Sequence, residues 1–269
     1  MDRVRALLAA LAIGVAAAIG AGGCGGDDDN DLAAFDQHRE AVLAAAQKAV
    51  DAGTARAEIE IMTESEGPSP SFSATERIDF RTAEAQGVIE FESVPGLPPN
   101  TRADLYSRES DVYARYDFVA GRPWVRLPTD PLADLTTNPT GMVEAFDLAL
   151  RDVSEVGETA VDGQEAIRYA ATYDVEALLS SLPEEDRERL EQRLAPLELT
   201  EAPVTILVDA DGYMRQAYYD FGELIPGEAS MNISFELSDF GLDVSFDPPR
   251  PDEIISLREL IDRARSVEA

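Results

Sequence analysis

The stretch VTILVDADGYMRQAYYDF, Val204 to Phe221, decides the architecture. Apolar side chains alternate through Val204–Val208 and again through Tyr213–Tyr219, with Asp211-Gly212 between them. A period of two on both sides of an Asp-Gly pair predicts an antiparallel hairpin. The same pattern recurs outward from it. Val153 to Val175 reads as a hairpin turning at Asp162-Gly163, and Met231 to Phe246 supplies one or two more strands before a short C-terminal helix from Asp252. Towards the N-terminus, Ala57, Ile59 and Ile61 alternate with Glu58 and Glu60, and Phe72, Ala74, Ile78 and Phe80 alternate with Ser71, Ser73, Thr75, Arg77 and Asp79. The alternation continues through Gly87–Ser93, Arg102–Ser107, Asp111–Asp117 and Pro123–Leu127, broken by turn clusters at Glu66-Gly67-Pro68 and Val94–Asn100. One-sided alternation with short connections predicts half-buried strands in an antiparallel meander rather than parallel crossovers.

Three segments carry the helical period instead. Leu32, Phe35, Val42, Leu43, Ala46, Ala49 and Val50 recur at helical spacing and stop at Asp51-Ala52-Gly53. Thr140 to Asp152 follows Asn138-Pro139, and Val175 to Leu194 is a charged, Leu-punctuated region restarted at Pro183. No internal repeat is present. A helix, about six strands, helices and four or five more strands make an α+β chain.

The N-terminus supplies an address. Arg3 and Arg5 form a short basic region, Ala6 to Ile19 is apolar throughout, and the small residues Ala21, Gly22 and Gly23 lead to Cys24, the one cysteine in the chain. This is the layout of a lipoprotein export signal, in which cleavage before Cys24 frees its thiol to carry a diacylglycerol. Ala21 stands where such a lipobox usually has Leu. The competing reading is an uncleaved anchor, since positions 6–26 are uncharged; but the segment is mostly Ala and Gly, with few large apolar side chains. Residues 1–23 are therefore expected to be a signal peptide, 24–31 a lipidated cysteine with a hydrated acidic tether (GGDDDND), and 32–269 a single domain.

Composition narrows the partners. The chain has 269 residues, with 22 basic against 53 acidic, a formal charge of −31. Without Asp2, Arg3 and Arg5 the mature body stands at −32. A field of that sign repels nucleic acid and anionic lipid headgroups alike, so membrane attachment falls to acyl chains on Cys24 and the expected cargo is neutral or zwitterionic. With Cys24 committed no disulfide can form, and the body depends on packing alone.

The layout behind this lipobox resembles the LppX/LprA/LprG-type lipoproteins of actinobacterial cell envelopes, which share a fold with the LolA and LolB carriers. Three strings carry the likeness: VYARYDFVAGRPWVRL (Val112–Leu127), TAVDGQEAIRYAATYDV (Thr159–Val175), and VTILVDADGYMRQAYYDF (Val204–Phe221) leading to LSDFGLDVSFDPP (Leu237–Pro249). The resemblance implies a strongly curved antiparallel β-sheet, a half-open barrel, with helices across its concave face and an apolar space for the acyl chains of a glycerolipid-type ligand. It brings no catalytic motif.

The residues themselves are poor in chemistry. His38 is the single histidine, on the polar side of the first helix, where a solvated surface position is expected. One histidine and one cysteine cannot build a His/Cys zinc site or a Cys-His pair. No G-x-S-x-G elbow, P-loop or G-x-G-x-x-G fingerprint occurs, so neither enzyme nor cofactor is expected. Asp209 and Asp211 open like a calcium loop but lack the downstream Glu, so a turn is the reading and no metal is expected. Asn232-Ile233-Ser234 fits a glycosylation sequon inside a strand pattern. The inward positions Ile59, Ile61, Phe72, Ile78, Phe80, Ile89, Phe91, Ile206, Val208, Ile233 and Phe235 either line a lipid cavity or meet the helices as a solid core, and both demand the same alternation. The function expected is a non-catalytic envelope lipoprotein that binds an acyl-chain ligand. The alternative is a sensor or scaffold lipoprotein with a filled core and an unidentified protein partner.

Overall fold

The computed structural model describes residues 29–65, 71–92, 94, 97–108, 111–127, 143, 146–181, 184, 187–188, 200–225 and 229–260. The expected signal segment and Cys24 lie outside the described residues. The first helix, α1, runs Asp29–Asp51 and so takes in the last residues of the acidic run, three positions earlier than Leu32. It ends where Gly53 adopts φ +81°, a left-handed conformation that suits glycine, and Gly53 N–H closes onto Val50 O at 2.9 Å. Its buried stripe is Val42, Ala45, Ala46 and Ala49, small side chains that allow close approach to the sheet; Phe35, counted in the stripe on spacing, is exposed.

Twelve strands follow: β1 (Thr54–Ser65), β2 (Ser71–Asp79), β3 (Glu84–Phe91), β4 (Thr101–Arg108), β5 (Asp111–Tyr116), β6 (Trp124–Leu127), β7 (Leu150–Val161), β8 (Gln164–Asp174), β9 (Glu201–Asp209), β10 (Met214–Ile225), β11 (Ala229–Ser238) and β12 (Ile254–Ile255). A short helix, α2, occupies Val175–Ser181 between β8 and β9. The strands form one open sheet in the order β12-β6-β5-β4-β3-β2-β1-β11-β10-β9-β8-β7. Two meanders are thus joined by the antiparallel pairing of β1 with β11, from Arg56 opposite Ser238 to Ser65 opposite Ala229. Among the described strands only β12, beside β6, is parallel. The sheet is curved and not closed, as expected, with α1 packed on β7, β9 and β10.

Two expectations are corrected, one for each helix below. The helix over 140–152 stops early: residues 146–149 are helical, but Leu150 already pairs with Tyr173 as the first residue of β7, where it is fully buried. Met231–Phe246 holds one strand, within the one or two expected, because Asp239 and Gly241 take positive φ and break the ladder. The chain beyond becomes a strap along one end of the sheet, held by Thr54 Oγ1 donating to Leu242 O (2.7 Å) and Asp247 N–H donating to Gln86 Oε1 (3.1 Å). The C-terminal helix starts later than Asp252: a 3-10 turn, Pro251–Glu253, and β12 come first, and residues 257–260 are helical, with Ser256 Oγ accepting the Glu259 N–H at 3.1 Å. Beyond Ser181, most of the charged segment to Leu194 lies outside the described residues.

His38 is also not simply solvated. It is half-buried, its Nδ1 accepts the Glu155 N–H at 3.3 Å, and its ring centroid lies 6.0 Å from that of Tyr169. Beside it Arg39 pairs with Asp147 at 3.0 Å. The polar side of α1 therefore docks on β7, the edge strand it would otherwise leave bare.

The two Asp-Gly hairpins meet at one arginine. Arg215, 8% exposed, donates to Asp162 Oδ2 (2.7 Å), Asp209 Oδ2 (3.4 Å) and Leu237 O (2.8 Å). Asp209 Oδ1 accepts the Tyr213 N–H at 2.9 Å, so its carboxylate ties the turn, as the hairpin reading requires.

Candidate functional site

Cross-strand register assigns the face turned towards α1. On β1 it carries Ala55, Ala57, Ile59 and Ile61; opposite them on β2 lie Ile78, Glu76, Ala74 and Phe72, and on β3 Ala85, Gly87, Ile89 and Phe91. On the other side of β1, Leu237, Phe235 and Ile233 of β11 share the face, followed by Ala217 and Tyr219 of β10 and by Ile206 and Val204 of β9. All the inward candidates in strands thus fall on one face, and Phe80 joins them just past the end of β2.

Their environments differ. Ile78, Phe80, Ile206, Val208 and Phe235 pack in the cluster under α1 with Val42, Ala46 and Ala49. Ile61 and Ile233 form a second cluster with Phe221 and Met231. Phe91 belongs to a third with Ala103, Tyr116, Val125 and Ile255. Ile59, Phe72 and Ile89 are only half-buried. Ile59 and Ile89 flank Ala74 from either side, and Phe72 is the next inward residue on β2. This strip, bordered by the three packed clusters, retains partial access, as do Leu105, Val112 and Tyr219 on the same face.

At its margin stands a residue that the alternation passes over. Glu76 occupies the inward phase of β2 between Ala74 and Ile78, opposite Ala57 and Gly87. It is 5% exposed, and Oε2 has no hydrogen-bond partner. Burial without a compensating charge pushes its carboxyl up to about 7. Gly87 makes room for it: a Cβ there would come within 2.7 Å of Glu76 Cγ and 2.1 Å of Thr75 O. The sequence signal was available in F-S-A-T-E-R-I-D-F, where an acid takes an apolar phase opposite a glycine.

Further along the face Tyr173 and Tyr219 meet edge to face with centroids 5.9 Å apart. Desolvation raises the pKa of both hydroxyls well above the ordinary value. They add polar tips to an apolar wall and no proton-transfer pair. A depression walled by Arg115, Arg122, Trp124 and Asp252 has its arginines already engaged: both hold Asp104, at 2.9 and 3.0 Å. No group of three or more metal-ligating side chains occurs among the described residues, and no described helix is long and apolar enough to cross a membrane.

No protein-family model matches the chain. An uncharacterized 31.2 kDa protein of Streptomyces griseus is 27% identical over 174 residues, 59% of this chain and 55% of its own length, so the chain spans little more than half of that curated relative. Among solved structures, LprF from Mycobacterium bovis superposes with a TM-score of 0.51 at 12% identity, covering 80% of this chain and 97% of that one. The Mycobacterium tuberculosis lipoprotein LppX gives 0.48 at 17% identity, covering 77% and 99%. The resemblance carried by the three strings therefore holds at the level of architecture, and the chain has the fold of LprF: an open, curved antiparallel sheet with helices against its inner face.

Proposed function

We propose that this protein is an extracytoplasmic lipoprotein, tethered through acyl chains on Cys24, that holds a hydrophobic ligand of glycerolipid type against the inner face of its sheet and makes or breaks no bond. The observation that carries the reading is the half-buried strip of Ile59, Phe72 and Ile89, large apolar side chains that lie between packed clusters of the same face. Large apolar side chains with retained access gain by covering, and an acyl chain leaving a bilayer meets an environment of similar polarity there. Transfer of the chains is then close to neutral, and polar contacts must supply selectivity. The fold shared with LprF and the lipobox before Cys24 support the same reading.

The test is solvent extraction of the mature chain carrying Cys24→Ser, purified without detergent, followed by mass spectrometry. A carrier yields a defined lipid in near-stoichiometric amount. A lipid-free extract from folded protein returns the chain to the filled-core scaffold.

A further inference from the structure

Resting on the carrier reading, we propose that Glu76 is the polar contact of the ligand site and accepts a hydrogen bond from the hydroxyl of a neutral, phosphate-free lipid such as a diacylglycerol. Across β1 to β6 the inward register positions carry only Ala, Gly, Val, Ile, Leu, Phe, Tyr, Thr and Ser, apart from this one acid. Glu76 thus stands alone on that face, buried, with Oε2 lacking a partner. Buried carboxyl groups normally find donors, and one left open beside a half-covered apolar strip calls for a donor from outside the chain.

The surroundings select the donor. No Lys or Arg occupies an inward position from β1 to β6, so a phosphate or carboxylate headgroup has nothing there to pair with and meets an acid instead. A phospholipid amine would bring its phosphate to the same place. A hydroxyl carries the needed proton without a charge. Position also agrees. Glu76 lies two residues from Ala74 on the same face, about 7 Å along the strand, and Ala74 is flanked by Ile59 and Ile89. Acyl chains on that strip would start within reach of the carboxyl group. Ala57 and Gly87, the cross-strand neighbours of Glu76, are both small.

A site built to bond a hydroxyl discriminates strongly against the analogue that lacks it, because its own polar group is then left unpaired. The experiment compares two probes on the mature Cys24→Ser chain: a diacylglycerol labelled at an acyl terminus, and the same molecule with its free hydroxyl methylated. Wild-type Glu76 should favour the diacylglycerol by about tenfold or more. Glu76→Leu should bind both equally and no more weakly than wild type binds the ether. Glu76→Gln, which keeps an accepting carbonyl, should retain part of the preference. Diacylglycerol should also shift the Glu76 carboxyl band in the infrared difference spectrum of wild-type protein, a readout that needs no variant to fold. Equal binding of the two probes by wild type, a preference surviving in Glu76→Leu, or an unmoved carboxyl band overturns the assignment of Glu76 and leaves the carrier reading standing. Failure of wild type to bind either probe overturns both.

Discussion

Replacing Glu76 with Gln removes a titrating group from the sheet while keeping its shape, and the consequence depends on pH in a calculable way. In the folded protein the carboxyl titrates at about 7, against an ordinary 4.5 in the unfolded chain. Between these values the folded state holds a proton that the unfolded state has released, so stability falls as pH rises through the window and the full cost is present above it. Two and a half units correspond to about 3 kcal/mol. At pH 5 the cost is under about 1 kcal/mol, and at pH 8 it has almost reached the full figure. Urea unfolding of wild type and Glu76→Gln at pH 5, 6, 7 and 8 measures the difference directly, because contributions from the remaining acids cancel. The variant should gain about 2–3 kcal/mol relative to wild type between pH 5 and pH 8. Curves that stay parallel across this range would show that Glu76 ionises normally and is not buried alone.

Three other perturbations follow from the same geometry. Gly87→Ala places a Cβ into Thr75 O and Glu76 Cγ, contacts of 2.1 and 2.7 Å that must be relieved by separating β2 from β3; a loss of about 1–3 kcal/mol in thermal unfolding is expected. Arg215→Met leaves buried Asp209 without its counter-charge and should cost about 3–5 kcal/mol, with faster amide exchange at both Asp-Gly turns than elsewhere in the sheet. Asp79 is held below its ordinary 3.8 chiefly by the side-chain hydrogen bonds of Arg81, so its contribution is present above that value and is lost as pH falls through the lower folded one; Asp79→Asn should lower the urea midpoint at pH 7 and by progressively less as pH falls below 3.8.

The strands were legible because one face of each is buried and period two survives composition. Asp162-Gly163 and Asp211-Gly212 marked their hairpins for the same reason: positive φ at the turn restricts residue choice. What could not be read was anything decided between distant segments. Leu150 suits a helix by propensity, and only its pairing with Tyr173 makes it a strand residue. His38 sits on the polar side of α1, and only β7, far along the chain, half-buries it. The inner face was foreseen in its membership but not in its access. Phe91 and Phe72 face each other across β2 and β3, yet one is 3% exposed and the other half-buried, a difference set by what packs over each. Glu76 escapes the alternation because four apolar or small residues, Phe72, Ala74, Ile78 and Phe80, share its phase and the exception reads as noise until its burial is seen.

The proposed carrier requires part of the inner face to be open to a ligand while the rest is solid core, and one comparison separates the two. Ile89→Asp puts a carboxylate on the half-buried strip, where it can hydrate, whereas Phe91→Asp and Phe80→Asp put one into packed clusters, where an unpaired charge costs several kcal/mol. Lipid in solvent extracts and near-ultraviolet circular dichroism should be measured on all three variants and on the parent mature chain carrying Cys24→Ser. The account predicts that the parent co-purifies with lipid, that Ile89→Asp stays folded and loses it, and that Phe91→Asp and Phe80→Asp unfold. A folded, lipid-free parent, or an Ile89→Asp variant that unfolds with the other two, would contradict it.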